Sequence, residues 1–440
     1  MFHRSGIATV LPTLFLASLL SACGGSSDPA PAGLSYSRNP AVYALRVPIG
    51  PNSPSSTGGP VTLYSVDRAL PDGLLLDQAT GVITGTPTAP AARTVYTVTA
   101  WSSAGSTSTA LTLGVPGFVP TGRMTETRHD STTTLLATGK VLVAGQGGPG
   151  PASGNLYDVA TGRFTATGSM AGENFGHSAS LLRNGKVLIA GGDPAAFTRA
   201  ELYDPATGLF RDTGSMTADR ANPTATLLAN GKVLMVGGVR DAGLAACAEL
   251  YDPDTGLFTA TGNTARNRYA PSATLLPSGK VLVAGGEDPV SIGAELFDPV
   301  TGTFATTGSM TTARQGAAAV LLPNGKVLVA GGGGTNGPGS AELYDPASGT
   351  FMGTGGMAVD RFRPSATLLP SGRVLVAGGF VMDPAGALLT SAEIYDPATG
   401  TFSSAGTMAY GRAGNFAALL PTGSVLVAGG DTSIAELYLE

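Results

Sequence analysis

The feature that most constrains this chain is a phrase it repeats seven times. Its cleanest copy reads RQGAAAVLLPNGKVLVAGGG over residues 314–333 and SAELYDPASGTF over 340–351. A period of about 46 to 51 residues belongs to repeat architectures, whose units bury a core only by stacking on their neighbours. Each copy resolves into four short strands. Strand a ends in paired leucines, as at Leu227-Leu228 and Leu368-Leu369, and a turn of Asn-Gly, Ser-Gly or Thr-Gly follows. That is the chemistry of a short β-hairpin. Strand b, Val-Leu-Val-Ala or close to it, is apolar at every position and so requires burial on both faces. A glycine doublet closes it at 191–192, 237–238, 285–286, 331–332, 378–379 and 429–430, with Gly145-Gln146 in the first copy. Strand c is Glu-Leu-Tyr-Asp. It turns into strand d at Phe164, Phe210, Phe258, Phe304, Phe351 and Phe402.

The doublet, the Tyr-Asp pair and the aromatic after Thr-Gly resemble the kelch repeat, which usually has Trp where these copies have Phe. The resemblance covers residues 116–440 and implies a seven-bladed β-propeller. Closure follows from the chain itself. The last copy stops at Ala435–Glu440 without a strand d, whereas residues 118–124 (FVPTGRM) match 304–310 (FATTGSM) in register. Strand 118–124 is therefore expected beside residues 434–439, where it removes a sheet edge and ties the ends together.

Between residues 35 and 115 short alternating stretches recur, at 61–66, 74–76, 82–84, 96–101 and 110–115, which suggests a β-sandwich. Residues 70–88 (LPDGLLLDQATGVITGTPT) resemble the immunoglobulin-like domains of bacterial surface proteins. Related modules bind calcium, but Asp67, Asp72 and Asp77 occupy turn positions suited to backbone hydrogen bonding. The sandwich reads as a spacer, and the whole chain as all-β.

The N-terminus reads as an address. His3 and Arg4 precede an apolar run from Ile7 to Leu20 that is too short for a good membrane span. Leu20-Ser21-Ala22-Cys23 resembles the lipobox of bacterial lipoproteins. The resemblance implies a signal peptide over 1–22, cleavage before Cys23 and lipid on it, and Gly24 favours the outer membrane, periplasmic or surface-facing. Residues 23–34 read as a flexible tether. With Cys23 modified, Cys247 has no partner within the mature chain. A net charge of −5 without a basic stripe argues against nucleic acid.

Copy-against-copy comparison reveals a charge pattern. A strand-c Glu and the Arg that opens the next copy lie nineteen residues apart at Glu201/Arg220, Glu249/Arg268, Glu295/Arg314, Glu342/Arg361 and Glu393/Arg412. The copy lacking the Glu has Asn155, and nineteen residues later stands Asn174 in place of Arg. This predicts salt bridges between blades, Asn155 with Asn174 as a neutral substitute, and Glu436 with Arg128 across the closure.

The b–c segments differ in every copy, and variable loops on a rigid scaffold are where binding evolves. They place candidate ligand residues at Asp193, Arg240, Glu287, Phe380, Met382 and Asp431. The 380–391 segment is the longest and carries Phe380, Val381, Met382, Leu388 and Leu389, more apolar side chains than a solvated tip needs. In some kelch adaptors an Arg two places after the repeated one contacts acidic ligands, and Arg363 stands there. His129 and His177, with Asp130 and Asp193 near in sequence, are candidate metal ligands offset in register. The chain's layout resembles the copper-radical oxidases, but it has no Tyr-His and no His beyond residue 177. No nucleophile or phosphate-loop motif occurs. Asp193, Asp241, Glu287, Asp288, Asp383 and Asp431 support a glycan-active enzyme as the alternative.

The sequence therefore predicts a monomeric, envelope-anchored binding protein without a cofactor. It would be held to the membrane by its N-terminal lipid and would take a protein or glycan ligand on its b–c face.

Overall fold

The computed structural model describes residues 28–440 except 147–151, 173, 175, 193–195, 239–246, 287–291, 334–338, 383–385, 415–416 and 431, and the side chains of His129 and Gln146. The described residues form strands and turns with no helix.

The sandwich pairs Pro31–Tyr36 with Pro54–Gly58 and Leu74–Leu76 with Ile83–Gly85. Its four-stranded sheet runs Ala41–Val42, Gly105–Val115, Ala91–Ser102, Leu63–Val66. Alternation directs Leu34, Tyr64, Ile83, Tyr96, Val98, Leu111 and Leu113 into one core. The expected tether is shorter than 23–34, because Pro31–Tyr36 is the first strand and buries Leu34 and Tyr36 in that core. Asp77 accepts the N–H groups of Ala79 and Thr80, and Asp67 accepts that of Thr97, which is turn and strand-end chemistry.

The repeats build five separate four-stranded antiparallel sheets and one of seven strands. The seven-stranded sheet joins the first and last copies through one long strand, Gly117–Leu135. Its first half pairs with Thr432–Leu439, placing Phe118 opposite Tyr438, and its second half pairs with Val141–Gln146. Among the described residues, the inner strands 178–181, 224–227, 272–275, 318–321, 365–368 and 417–419 pack on one another in chain order, and both ends of this series pack on 117–135.

Burial follows the sequence pattern. Every residue of Val187–Ala190, Val233–Val236, Val281–Ala284, Val327–Ala330 and Val374–Ala377 is buried, as a strand covered on both faces must be. The buried strand-c aromatic packs against the strand-d Phe with ring centroids 4.8–4.9 Å apart, from Tyr157–Phe164 to Tyr395–Phe402. The a–b turn has three residues. Leu182 N–H reaches Lys186 O and only Gly185 takes positive φ, so the glycine forms the bulge that closes the hairpin.

The glycine doublets hold neighbouring copies together. Both glycines are left-handed, at φ 75° and 71° for Gly237 and Gly238. The second donates its N–H to the carbonyl of the next copy's Arg: Gly192 to Arg220, Gly238 to Arg268, Gly286 to Arg314, Gly332 to Arg361 and Gly379 to Arg412, at 2.7–2.9 Å. The same Arg carbonyl stands 2.2–2.9 Å from where a Cβ on the first glycine would lie at Gly191, Gly237, Gly285 and Gly331.

The salt bridges are real, but their register differs from the nineteen-residue expectation. Arg220 pairs with Glu249, Arg268 with Glu295, Arg314 with Glu342, Arg361 with Glu393 and Arg412 with Glu436, at 2.6–3.2 Å. Each Arg thus meets the Glu of the copy it opens, not the preceding one. The physical reason is the crossover. The segment leaving an outer strand d passes over the next sheet's strand c before descending to strand a, so its Arg lands on that sheet's own Glu. The Glu also accepts a crossover N–H, as from Thr217 to Glu249 and Thr311 to Glu342. Glu436 accordingly belongs to Arg412, and Arg128 pairs instead with Glu126 at 3.0 Å. Asn155 binds Thr125 rather than Asn174, and Asn174 lies 3.5 Å from Glu201, which among the described residues has no Arg partner at salt-bridge distance.

Candidate functional site

Two residues after each repeated Arg, or after Asn174, the chain turns in toward the axis. The turning residues are Asp130, Gly176, Asn222, Ala270, Gly316, Arg363 and Gly414, all left-handed with φ between 41° and 99°. Four non-glycine residues in this region are costly singly and persist where the surroundings dictate them. The surroundings here are a collar of backbone hydrogen bonds: Asn222 N–H to Gly176 O, Gly316 to Ala270, Arg363 to Gly316 and Gly414 to Arg363, at 2.7–3.0 Å.

The collar frames a cavity of 110 Å³ lined by Asp130, Ser131, Thr132, His177, Asn222 and Arg363, with Pro223, Pro271 and Pro364 as apolar walls. Below it lies a further space of 270 Å³ lined by small and hydroxyl side chains of the inner strands, among them Thr134, Ser178, Thr224 and Ser365. Arg363 reaches across the mouth, bridging Asp130 at 3.2 Å and donating its other terminal nitrogen to Asn222 Oδ1. Glycines make room for the span, since a Cβ on Gly176 would meet the Asn222 amide and one on Gly316 the Arg363 stem. Arg363 is thus a held guanidinium, a quarter exposed, rather than a solvated one.

His177 is buried below the mouth. Its Nδ1 donates to Asn174 O at 2.8 Å, so Nε2 is unprotonated and accepts from the Thr132 hydroxyl at 2.9 Å. Burial holds the imidazole below its usual range, opposed by the Asn174 hydrogen bond and by Asp130. With both ring nitrogens taken, His177 does not stand as the metal ligand it resembles in sequence. His129 occupies the strand opposite Gln146, and its side chain lies outside the described residues. Among the described residues no three His, Cys, Asp or Glu side chains gather to hold a metal ion.

Beside the mouth stands an apolar rim. Phe362 and Phe380 exchange backbone hydrogen bonds and stack edge-on at 4.8 Å. Phe380 also bridges to Leu388. The Phe362 ring and the Met382 thioether fill the space a Cβ on Gly333 would need. Met382 remains 62% exposed. Of the residues expected here, Arg363, Phe380 and Met382 come together. Asp193, Arg240, Glu287 and Asp431 lie outside the described residues, as do Asp241, Asp288, Asp383 and Cys23. Sequence reading missed Asp130, Asn222, Ser131 and Thr132 as partners. The available signal was the position two places after the repeated Arg, where Asp130, Asn222 and Arg363 stand and the other copies carry Gly or Ala.

Comparison with known proteins agrees with this architecture. A family model described as "Putative Ig domain" matches residues 27–116, and one described as "Kelch motif" matches residues 361–409. The chain is an Ig-like domain followed by kelch repeats in a propeller-type fold. Among solved structures it is similar to a fungal alcohol oxidase of the AA5 family in complex with copper. The TM-score is 0.63 at 19% identity, over 74% of this chain and 76% of that one. At that identity the likeness is one of fold. No curated protein matches the chain. The described residues do not fit a copper site, given the engaged His177 ring and the absence among them of a cluster of three ligating side chains.

Proposed function

We propose that this chain is a binding module whose kelch repeats close into a seven-bladed wheel and receive a protein ligand on the b–c face, centred on the axial mouth. The observation that carries the reading is the juxtaposition of the Arg363 guanidinium with the Phe362, Phe380, Met382 and Leu388 rim. Arginine and aromatic or methionine side chains in one patch are the composition of interface centres. Together they select a segment presenting a carboxylate next to an apolar side chain, with the Asp130–Arg363 contact exchanged for a ligand–Arg363 contact.

The test is binding of the 24–440 chain to arrays of acidic-apolar peptides and of glycans. Met382→Ala and Arg363→Ala should each weaken peptide binding about tenfold or more. Unchanged binding in both variants, or retention of glycans alone, overturns the reading.

The same proposal places the module at the cell envelope, held by lipid on Cys23 after cleavage of residues 1–22. Two or more acyl chains give durable anchoring where one does not. Palmitate labelling lost in Cys23→Ala, with release of the protein from membranes, is the expected result. A Cys23→Ala chain that still partitions with membranes removes the anchor from the proposal.

A further inference from the structure

Where the residue that opens an inner strand carries a hydroxyl, the strands share a habit that only the first one breaks among the described residues; Ala318 opens its strand without a hydroxyl. Ser178, Thr224, Ser272 and Ser365 each open strand a and donate their hydroxyl to the partner carbonyl on strand b, at Ala190, Val236, Ala284 and Ala377. Thr132 holds the same place, opposite Ala144, yet its hydroxyl is on His177 Nε2. The position of His177 is held in the other copies by Ser131, Pro223, Pro271, Ala317, Pro364 and Asn415. A hydroxyl on an unprotonated imidazole nitrogen, with the other nitrogen fixed by a third group, is the arrangement that activates an oxygen nucleophile. The third group here is the Asn174 carbonyl. Next to it Ser131, 3% exposed, lines the same cavity, and its hydroxyl has no hydrogen-bond partner among the described residues.

We propose that Thr132 and His177 form a nucleophile–base pair that cleaves oxygen esters of small acyl groups in the axial cavity. The Thr132 oxygen attacks the acyl carbon while its proton passes to His177 Nε2. The ester C–O bond then breaks, and the leaving alkoxide takes that proton. Water next attacks the acyl-threonine with His177 again as base, releasing the carboxylic acid and restoring the hydroxyl. Ser131 can donate to the oxyanion, and the Asp130 carboxylate, which acts on His177 through space, favours the transient imidazolium, while the Arg128 guanidinium opposes it. A cavity of 110 Å³ has room for a small acyl group such as acetyl. This inference goes beyond the binding proposal and stands without it, since it uses neither Met382 nor the apolar rim.

The test is p-nitrophenyl acetate with the full chain, read by intact mass and peptide mapping. An acetyl adduct on Thr132 is expected. It should be retained in Thr132→Ser, lost in Thr132→Val, and formed about a hundredfold or more slowly in His177→Gln. Acetylation should also fall as acid protonates Nε2, with its plateau extending below the usual imidazole range. No adduct on the wild-type chain, an adduct elsewhere, or a His177→Gln rate within a few-fold of wild type overturns the proposal. The location of the wild-type adduct decides the question even if a variant fails to fold.

Discussion

Arg314 is almost wholly buried and satisfied on every side. Its guanidinium donates to Gly331 O, to Ser340 O and Oγ, and to Glu342 at 3.1–3.2 Å through two nitrogens. Burial draws its pKa down, and Glu342 opposes that shift. Removing one partner of such a pair strands the other, so Arg314→Met is expected to cost about 3–5 kcal/mol in chemical denaturation. In double-mutant cycles Arg314 should couple to Glu342 and be additive with Glu295, within about 0.5 kcal/mol. Coupling to Glu295 instead would restore the nineteen-residue register. Glu201 behaves oppositely. Burial raises its pKa, only partly offset by the Ala171 N–H and Asn174. A carboxyl whose folded pKa is raised contributes stability that is full below the ordinary glutamate range and is lost as pH rises through the folded value. The wild-type melting temperature should therefore fall over that window relative to Glu201→Gln, which should be near neutral in cost at pH 7. A Glu201→Gln chain as damaged as Glu342→Gln would show that Glu201 has a cation after all. The identity of these charges was legible in the repeat, but their pairing was not. Spacing along the chain does not reveal that the crossover carries each Arg over its own sheet.

Glycine means two different things within one repeat. In the a–b hairpin Gly279 has φ 83° and open space where its Cβ would be. Gly286 has φ 70°, but a Cβ there would lie 2.7 Å from both Pro271 N and Tyr269 O in the crossover of the same copy. Gly279→Ala should cost about 1 kcal/mol for the backbone alone. Gly286→Ala must also push the crossover away, and about 2–3 kcal/mol is expected. Equal thermal shifts in the two variants would mean that the doublet serves only its φ angles. At this scale the sequence was highly readable. A hairpin glycine, an all-apolar strand b and a Tyr–Phe pair recur so regularly that strand order follows from comparing copies. The axial cluster was hidden for the same reason that the strands were plain. Arg363 meets residues 233 and 141 positions away, so the contact depends on ring geometry and on no local pattern. Only the odd residues in an otherwise small-residue column, Asp130, Asn222 and Arg363, pointed toward it.

At the scale of the molecule, the strand Gly117–Leu135 does two jobs that the other copies divide between two strands. It is the outer partner of Thr432–Leu439 and the inner partner of Val141–Gln146, so the last repeat is completed by residues that precede the first. Phe118 packs on Tyr438 at 5.1 Å in the place of the strand-c and strand-d aromatic pair seen elsewhere. Deleting residues 117–124 would strip that partner and leave Thr432–Leu439 as an open edge, with Tyr438 uncovered. Deleting residues 28–115 removes a module whose core, from Leu34 to Leu113, is its own. The first deletion should abolish a single cooperative melt or lower it by tens of degrees, and favour aggregation through the exposed edge. The second should leave the melt of the repeats within a few degrees of the full chain. Circular dichroism on both truncations decides the matter: equal loss would show that the sandwich braces the wheel, and an undisturbed 117–124 deletion would show that the wheel closes by packing of its inner strands alone.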